Sequence, residues 1–130
     1  MNKILVEVSV GELLDKISIL EIKIKKIKDL KKLKFINDEH AILKDQLDQN
    51  VKSDNKLKSL FKSLKEINKK LWFIEDDKRL CEKDSNFGEK FIKLSRDIHF
   101  LNDNRAKIKL EINSHTGSKI REVKEYTKYN

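Results

Sequence analysis

Three stretches of this chain repeat apolar residues at alternating steps of three and four positions. The clearest of them runs Leu57, Leu60, Leu64, Ile67, Leu71 and Ile74. This spacing lines side chains along one face of an α-helix, as in helices that pack side by side. The 130 residues contain no proline and only three glycines, whereas an all-β fold needs frequent turn residues. The sequence therefore predicts an all-α bundle of three to four helices.

The first half of the chain contains two helical patterns of unequal strength. Ser9 and Glu12 have the spacing of a capping box, so the first helix should begin near Val10. Its apolar repeat fades near Lys34. A weaker second helix is predicted over residues 37–50.

The second half contains two long helical patterns, over about 55–84 and 87–115. Ser85 or Asn86 can cap the fourth helix, and Gly117 follows its end, where glycine is favoured. We expect the two long helices to form an antiparallel hairpin against the first helix.

The N-terminal residues have a different period from the rest of the chain. Ile4, Val6, Val8 and Val10 alternate with Lys3, Leu5, Glu7 and Ser9, which predicts a short half-buried strand. Its partner would be residues 119–126 or the same strand of a second chain. We expect one domain over residues 1–130, with an N-terminal strand or arm at 1–10 and a C-terminal tail at 116–130.

The length of the long helices predicts a homodimer. At 1.5 Å per residue, a helix of roughly 27 residues is about 40 Å long. A chain of 130 residues has too little other structure to cover two such helices. We therefore expect their apolar faces to meet in a dimer.

Several classes of function lack their sequence signals. The chain has one cysteine and three isolated histidines, so no metal site is predicted. It contains no glycine-rich phosphate loop and no common hydrolase motif, so no cofactor is predicted and a non-enzymatic protein is favoured. Uncharged apolar runs are no longer than five residues, so we expect no membrane span, no signal peptide and a cytoplasmic protein.

The net charge of +8 raises the alternative of nucleic-acid binding. The segment Lys23–Lys34 contains seven lysines and one aspartate, whereas acids are interleaved with lysines elsewhere. A solvated helix face is the favoured interpretation of this segment, and weak nucleic-acid binding is the alternative.

Arg105 is the most informative polar residue. The apolar repeat of the fourth helix reaches position 105 between Leu101 and Ile108, where packing would favour a leucine or an isoleucine. A buried guanidinium needs a carboxylate or an anionic ligand. The candidate carboxylates, in order of preference, are Glu75 or Asp76 of the third helix, then Asp15 or Glu21 of the first.

Two polar stripes flank the apolar seams. One comprises His99, Asn102, Ala106, Lys109 and Asn113, and the other Asn68, Trp72, Glu75, Arg79 and Glu82. The favoured interpretation is a structural ion-pair network, with Trp72 as a core or interface residue. The alternatives are a small-anion or catalytic site between the helices and a protein-partner surface. The candidate ligand-binding residues are Arg105, Lys109, Asn102, Arg79, Glu75, Trp72 and Lys16.

Several segments together resemble a family of short bacterial and bacteriophage proteins of unknown function. They are Val8–Ile17 with Leu20–Lys23, Leu71–Asp76, Asn102–Lys109, Ile112–Asn113, and Gly117–Ser118 with Glu122, Lys124 and Tyr126. The resemblance covers nearly the whole chain and implies no activity, cofactor or substrate.

A weaker, fold-level similarity is to the helical chorismate mutases, which are intertwined dimers that bind a dicarboxylate with basic side chains. It implies a cage formed by Lys16, Arg79, Arg105 and Lys109. The chain has Glu12 and Leu13 where that family's first helix places an arginine. The favoured function is therefore a structural or interaction module that acts as a homodimer with an unidentified protein partner, and the enzyme or ligand-binding protein is the alternative.

Overall fold

Four α-helices form the protein in a computed structural model that describes residues 2–129. They are α1 (Val10–Lys26), α2 (Leu30–Asn50), α3 (Asn55–Lys83) and α4 (Glu89–Thr116). The predicted all-α bundle is confirmed. Residues 2–9 form no strand, although their apolar residues alternate. Within residues 2–129, no helix has the length and apolar character needed to cross a bilayer.

Helix α1 begins where the capping box predicts. The Ser9 hydroxyl accepts a hydrogen bond from the Glu12 amide at 3.0 Å, which satisfies one of the free N–H groups at the helix start. The Glu12 carboxylate does not return to Ser9 and instead contacts Lys109 on α4. Only half of the capping box therefore forms, because a tertiary partner takes the carboxylate.

The first helix ends earlier than its apolar repeat predicts. Residues 27–29 separate α1 from α2, so the predicted end near Lys34 and the predicted start at residue 37 are both wrong. The reason is Asp29, whose carboxylate accepts hydrogen bonds from the Lys31 and Lys32 amides at 2.9 and 3.1 Å. Aspartate is a preferred residue at this position, and it starts a new helix within the lysine-rich segment.

The hairpin of α3 and α4 has nearly its predicted limits. Ser85 adopts a left-handed backbone conformation with φ of 54°, and Gly88 stands at the cap of α4 without a side-chain hydrogen bond. The predicted capping by Ser85 or Asn86 is therefore wrong, because the tight turn places both residues before the helix start. Gly117 has φ of 65°, as expected for a glycine after a helix C-terminus.

Helix α1 lies against all three other helices, and among the helices α2 contacts only α1. The core contains Leu14 and Ile17 of α1 with Leu64 of α3 and Ile112 of α4. The buried residues of α1 also include Asp15, Ser18 and Ile22, which lie outside a single 3/4 seam. A helix with neighbours on several sides must bury more of its circumference than a seam predicts.

Gly11 marks the closest approach of α1 to α4. A Cβ atom at this position would lie 2.7 Å from the Lys109 carbonyl oxygen and 3.0 Å from Asn113 Oδ1. The Gly11 amide donates to that same Asn113 oxygen at 2.7 Å. The absence of a side chain therefore lets the two backbones meet.

Replacing Gly11 with alanine should destabilise the protein by about 2 kcal/mol, because the added methyl group must displace α4 backbone. Helix propensity alone predicts the opposite, a gain of up to about 1 kcal/mol in the free energy of unfolding. Urea unfolding measures the change. Gly88→Ala is the matched control, since its Cβ would lie 3.6 Å from the nearest atom, and it should cost less than about 1 kcal/mol. Equal stability of the two variants would contradict the close packing.

Candidate functional site

A buried carboxylate lies at the meeting point of three helices. Asp15 of α1 is 2% exposed. Its Oδ1 accepts from Arg105 Nε of α4 at 2.9 Å and from Asn68 Nδ2 of α3 at 2.8 Å, and its Oδ2 accepts from Arg105 Nη2. Two parallel bonds from one guanidinium form the geometry that best compensates a buried carboxylate. The hydrogen bond to Asp15 raises the pKa of Arg105. Burial acts in the opposite direction, but its effect is smaller.

Lys109 lies one helical turn further along α4 and contacts three carboxylates. Its Nζ is 2.6 Å from Glu12 Oε2, 3.0 Å from Glu122 Oε2 and 4.0 Å from Asp15 Oδ2. Burial alone would lower the pKa of Lys109, but the bonds to Glu12 and Glu122 outweigh it, so the pKa is raised. The lysine therefore stays charged inside the bundle.

The C-terminal tail, residues 117–129, is fastened to the start of α1. The buried hydroxyl of Ser118 accepts from the Val10 amide at 3.1 Å and donates to the Ile120 carbonyl at 2.6 Å. This anchor places Glu122 beside Lys109 and Lys124. Hydrogen bonds from Lys124 and Lys109 hold the pKa of Glu122 below its usual value.

We call these six residues the ion-pair cluster: Glu12, Asp15, Arg105, Lys109, Glu122 and Lys124. Three of them are acidic and three are basic, so their formal charges cancel. The members come from α1, α4 and the tail. The cluster therefore joins the first helix to the last helix and to the tail that follows it.

Arg105 has the kind of partner that its sequence position predicts, but not the one preferred. The preferred acids, Glu75 and Asp76, are exposed on α3, so that choice is wrong. The partner is Asp15, one of the second-choice residues. The side chain of Arg105 faces α1, which contacts both long helices, and 29% of it remains exposed.

An open cleft of about 430 Å³ adjoins the exposed edge of the ion-pair cluster. Helix α4 provides one wall and the tail the other. The lining residues are His99, Asn102, Asp103, Arg105, Ala106 and Lys109 of α4 with Lys124 and Tyr126 of the tail.

The cleft includes only part of the predicted small-anion site. Of the residues predicted to bind a ligand, Arg105, Lys109 and Asn102 line it. Four others lie elsewhere: Arg79 and Glu75 are exposed on α3, Trp72 is half-buried there, and Lys16 is exposed on α1. The cage implied by the chorismate mutases is therefore not assembled, because the exposed face of α3 that bears Arg79 does not line the cleft.

The sequence interpretation missed the contribution of the tail and of Glu12. The capping-box pattern assigns Glu12 to the start of α1, and no pattern in the sequence of the tail predicts a partner for Glu122 or Lys124. The usable signal was Gly117, because a helix that ends in a glycine turn can send the following chain back over the bundle.

The lysine-rich segment Lys23–Lys34 is divided between the end of α1, the connection at residues 27–29 and the start of α2. Lys26 lies over the Phe73 ring at 4.6 Å. The segment therefore does not lie along one helix. Nucleic-acid binding by it stays a prediction.

A second, smaller charged group joins α1 to α2 and α3. Glu21 contacts Lys65 Nζ at 2.8 Å and His40 Nε2 at 3.1 Å. Burial would raise the pKa of Glu21, but the hydrogen bonds from Lys65 and His40 outweigh it, so the pKa is lowered from 4.5. In the described part of the chain, no group of three histidine, cysteine or acidic residues could hold a metal ion.

A family model matches residues 4–129 of this chain. The chain belongs to DUF6165, a family of unknown function. Three of the segments on which the resemblance depends, in α1, in α4 and in the tail, meet at the ion-pair cluster. No curated protein and no solved structure gives a match. A bacterial or bacteriophage origin stays a prediction.

Replacing Arg105 with methionine should destabilise the protein by about 3 kcal/mol, because the buried Asp15 carboxylate loses its hydrogen-bonded cation and keeps only the longer contact to Lys109. Adding Asp15→Asn to the same chain should restore most of this loss, since the amide carries no charge. Denaturant unfolding of both variants measures the two effects. Arg79→Met is the matched control on an exposed site and should change stability by less than about 0.5 kcal/mol. A double variant no more stable than the single one would show that the pair does not carry the loss.

The Glu21 group should make the protein sensitive to acid. A carboxyl group whose pKa is lowered in the folded state stabilises that state above its unfolded pKa, and the stabilisation is lost as pH falls through the folded value. The stability advantage of the wild type over Glu21→Gln should therefore shrink as pH falls below about 4.5. Unfolding curves between about pH 7 and pH 3 measure this difference. The exposed Glu66→Gln serves as control, and an advantage that does not depend on pH would contradict the role of Glu21.

Proposed function

We propose that the protein is an interaction module that acts as a homodimer. The observation that carries this proposal is the N-terminal arm, residues 2–9. Ile4, Leu5 and Val6 are 85%, 80% and 74% exposed. Three consecutive large apolar side chains in water favour association, because covering them removes apolar surface from solvent.

The sequence pattern of the arm favours a strand as its partner. Within residues 2–129, no strand lies beside it, and the alternative partner at residues 119–126 forms no ladder with it. The same arm of a second copy remains as the natural partner, because a two-fold axis pairs a segment with itself. An antiparallel register centred on Val6 would set Ile4 opposite Val8 of the second copy, on one face of the ribbon.

The size of this contact indicates that the long helices also take part. Burying Ile4 and Val6 in both copies gives about 8 kcal/mol at about 2 kcal/mol per side chain. A micromolar dimer has a net free energy of association of about 8 kcal/mol, so its contacts must supply more than this in order to offset the entropy lost on association. The additional stabilisation would come from exposed apolar residues of the hairpin, of which Phe87, Ile92 and Phe100 are 53%, 55% and 40% exposed.

The pairing of charges in the ion-pair cluster supports a structural role for its buried contacts. Each basic residue of the cluster is paired with a carboxylate, and no buried side-chain nitrogen or oxygen within residues 2–129 lacks a hydrogen bond. Such pairing fits the predicted structural role of the cluster. A further protein partner stays a prediction.

Sedimentation equilibrium tests the dimer. The wild type should be dimeric at tens of micromolar, and Val6→Lys should be monomeric, because it places two lysines opposite each other at the centre of the ribbon. The change should weaken association at least about a hundredfold, which corresponds to about 2.8 kcal/mol.

Val123→Lys is the matched control, because Val123 is 87% exposed in the tail and outside the arm. This variant should remain dimeric. A wild-type monomer at the same concentration would disprove the proposal. A dimer that survives Val6→Lys and is lost in Ile92→Lys would contradict pairing through the arm and place the interface on the hairpin.

A further inference from the structure

We propose that the cleft between α4 and the tail binds a small molecule through a phosphate or carboxylate group, and that this group competes with Glu122. The proposal goes beyond the dimer and does not depend on it. The cleft volume of about 430 Å³ is within the range of small-molecule sites, about 300–1,000 Å³. Three basic residues line it, Arg105, Lys109 and Lys124, with one carboxylate, Asp103, which accepts a hydrogen bond from the Tyr129 hydroxyl.

Arg105 is only partly used by its structural partner. It turns Nε and Nη2 toward Asp15, whereas Nη1 makes one long contact of 3.5 Å to Asn102 Oδ1. A guanidinium has five N–H groups in a planar fork. The edge between Nη1 and Nη2 therefore keeps donors for a second oxyanion, in the bidentate geometry that suits a carboxylate or a phosphate.

The pairing with Asp15 prepares Arg105 for this role. Because Asp15 is 2% exposed and bound to two other helices, it fixes the orientation of the guanidinium before any ligand arrives. A donor that is already oriented loses little conformational entropy on binding. The same contact that stabilises the bundle therefore also orients a donor at the cleft.

Glu122 is the carboxylate that an incoming anion can replace. Asp15 is buried, and Glu12, although its side chain is 32% exposed, is fixed by helix α1. Glu122 is 34% exposed and belongs to the tail, which forms no helix. Glu122 neutralises Lys109 and Lys124 together. If it moves away, the two lysines regain one positive charge beside Arg105, which a ligand oxyanion can neutralise.

Ala106 leaves the space for the ligand. It lies on the α4 wall between Arg105 and Lys109, and all three residues line the cleft. The whole chain contains only two alanines, Ala41 and Ala106. A larger side chain at position 106 would occupy the cleft without changing any charge.

Titration of ¹⁵N-labelled full-length protein with inorganic phosphate, and separately with malonate, tests the proposal by NMR. Sodium chloride at equal ionic strength is the reference, because exposed lysines attract every anion and salt screens that attraction. We expect saturable shifts of the Asn102, Ala106 and Lys109 amides. The tighter of the two anions shows whether the natural group is a phosphate or a carboxylate.

Two matched pairs of variants locate the site. Ala106→Leu should lose the saturable shifts, and Ala41→Leu, on the exposed face of α2, should keep them. Glu122→Gln should bind the tighter anion about tenfold more strongly, which corresponds to 1.4 kcal/mol. Glu125→Gln, an exposed tail residue, should leave the affinity unchanged.

Lys124→Met provides a second loss variant if Ala106→Leu does not fold. It removes an exposed basic side chain of the cleft and should weaken binding. Absence of saturable shifts with both anions, in the wild type and in Glu122→Gln, would overturn the proposal. Binding that persists in a folded Ala106→Leu variant, or that weakens in Glu122→Gln, would also overturn it.

Discussion

The buried Asp15 carboxylate is the constraint on which the arrangement of the helices depends. Transfer of a carboxylate from water into a protein interior costs several kcal/mol unless hydrogen bonds and an opposite charge compensate it. Here the compensation comes from Arg105 on α4 and from Asn68 on α3. Both long helices must therefore hold one register against α1. A shift of α4 by a turn would separate Asp15 from Arg105, and a shift of α3 by a turn would remove the hydrogen bond from Asn68.

The tail is also held to α1 and α4 by hydrogen bonds and ion pairs. Asn113 and Ser118 accept the first two amides of α1, and Glu122 completes the ion-pair cluster. The start of α1 is thus held by α4 and the tail, while its far end contacts α3. The structural role of the cluster and the proposed ligand role of its outer edge are compatible, because they use different edges of the Arg105 guanidinium.

The sequence predicted that Arg105 would need a carboxylate partner, but it did not predict which residues would form the ion-pair cluster. Arg105 interrupts an apolar repeat, so its need for a carboxylate could be deduced from packing alone. The preference for Glu75 or Asp76 as its partner requires that α3 face Arg105. Helix α1 occupies that position instead, and no period in the sequence states which of two neighbouring helices an arginine will face. The sequence does not predict Glu122 as a partner, because the tail has no periodic pattern.

The sequence by itself determined the class of fold, the start of α1, the hairpin of two long helices and the glycine that ends α4. These features depend on local chemistry: apolar spacing, a capping hydroxyl and left-handed backbone at Gly117. Only the tertiary structure decided that Asp15 meets Arg105 and that α4 and the tail enclose a cleft. Those outcomes depend on which residues distant in sequence can satisfy one another's charges and hydrogen bonds once the helices are packed.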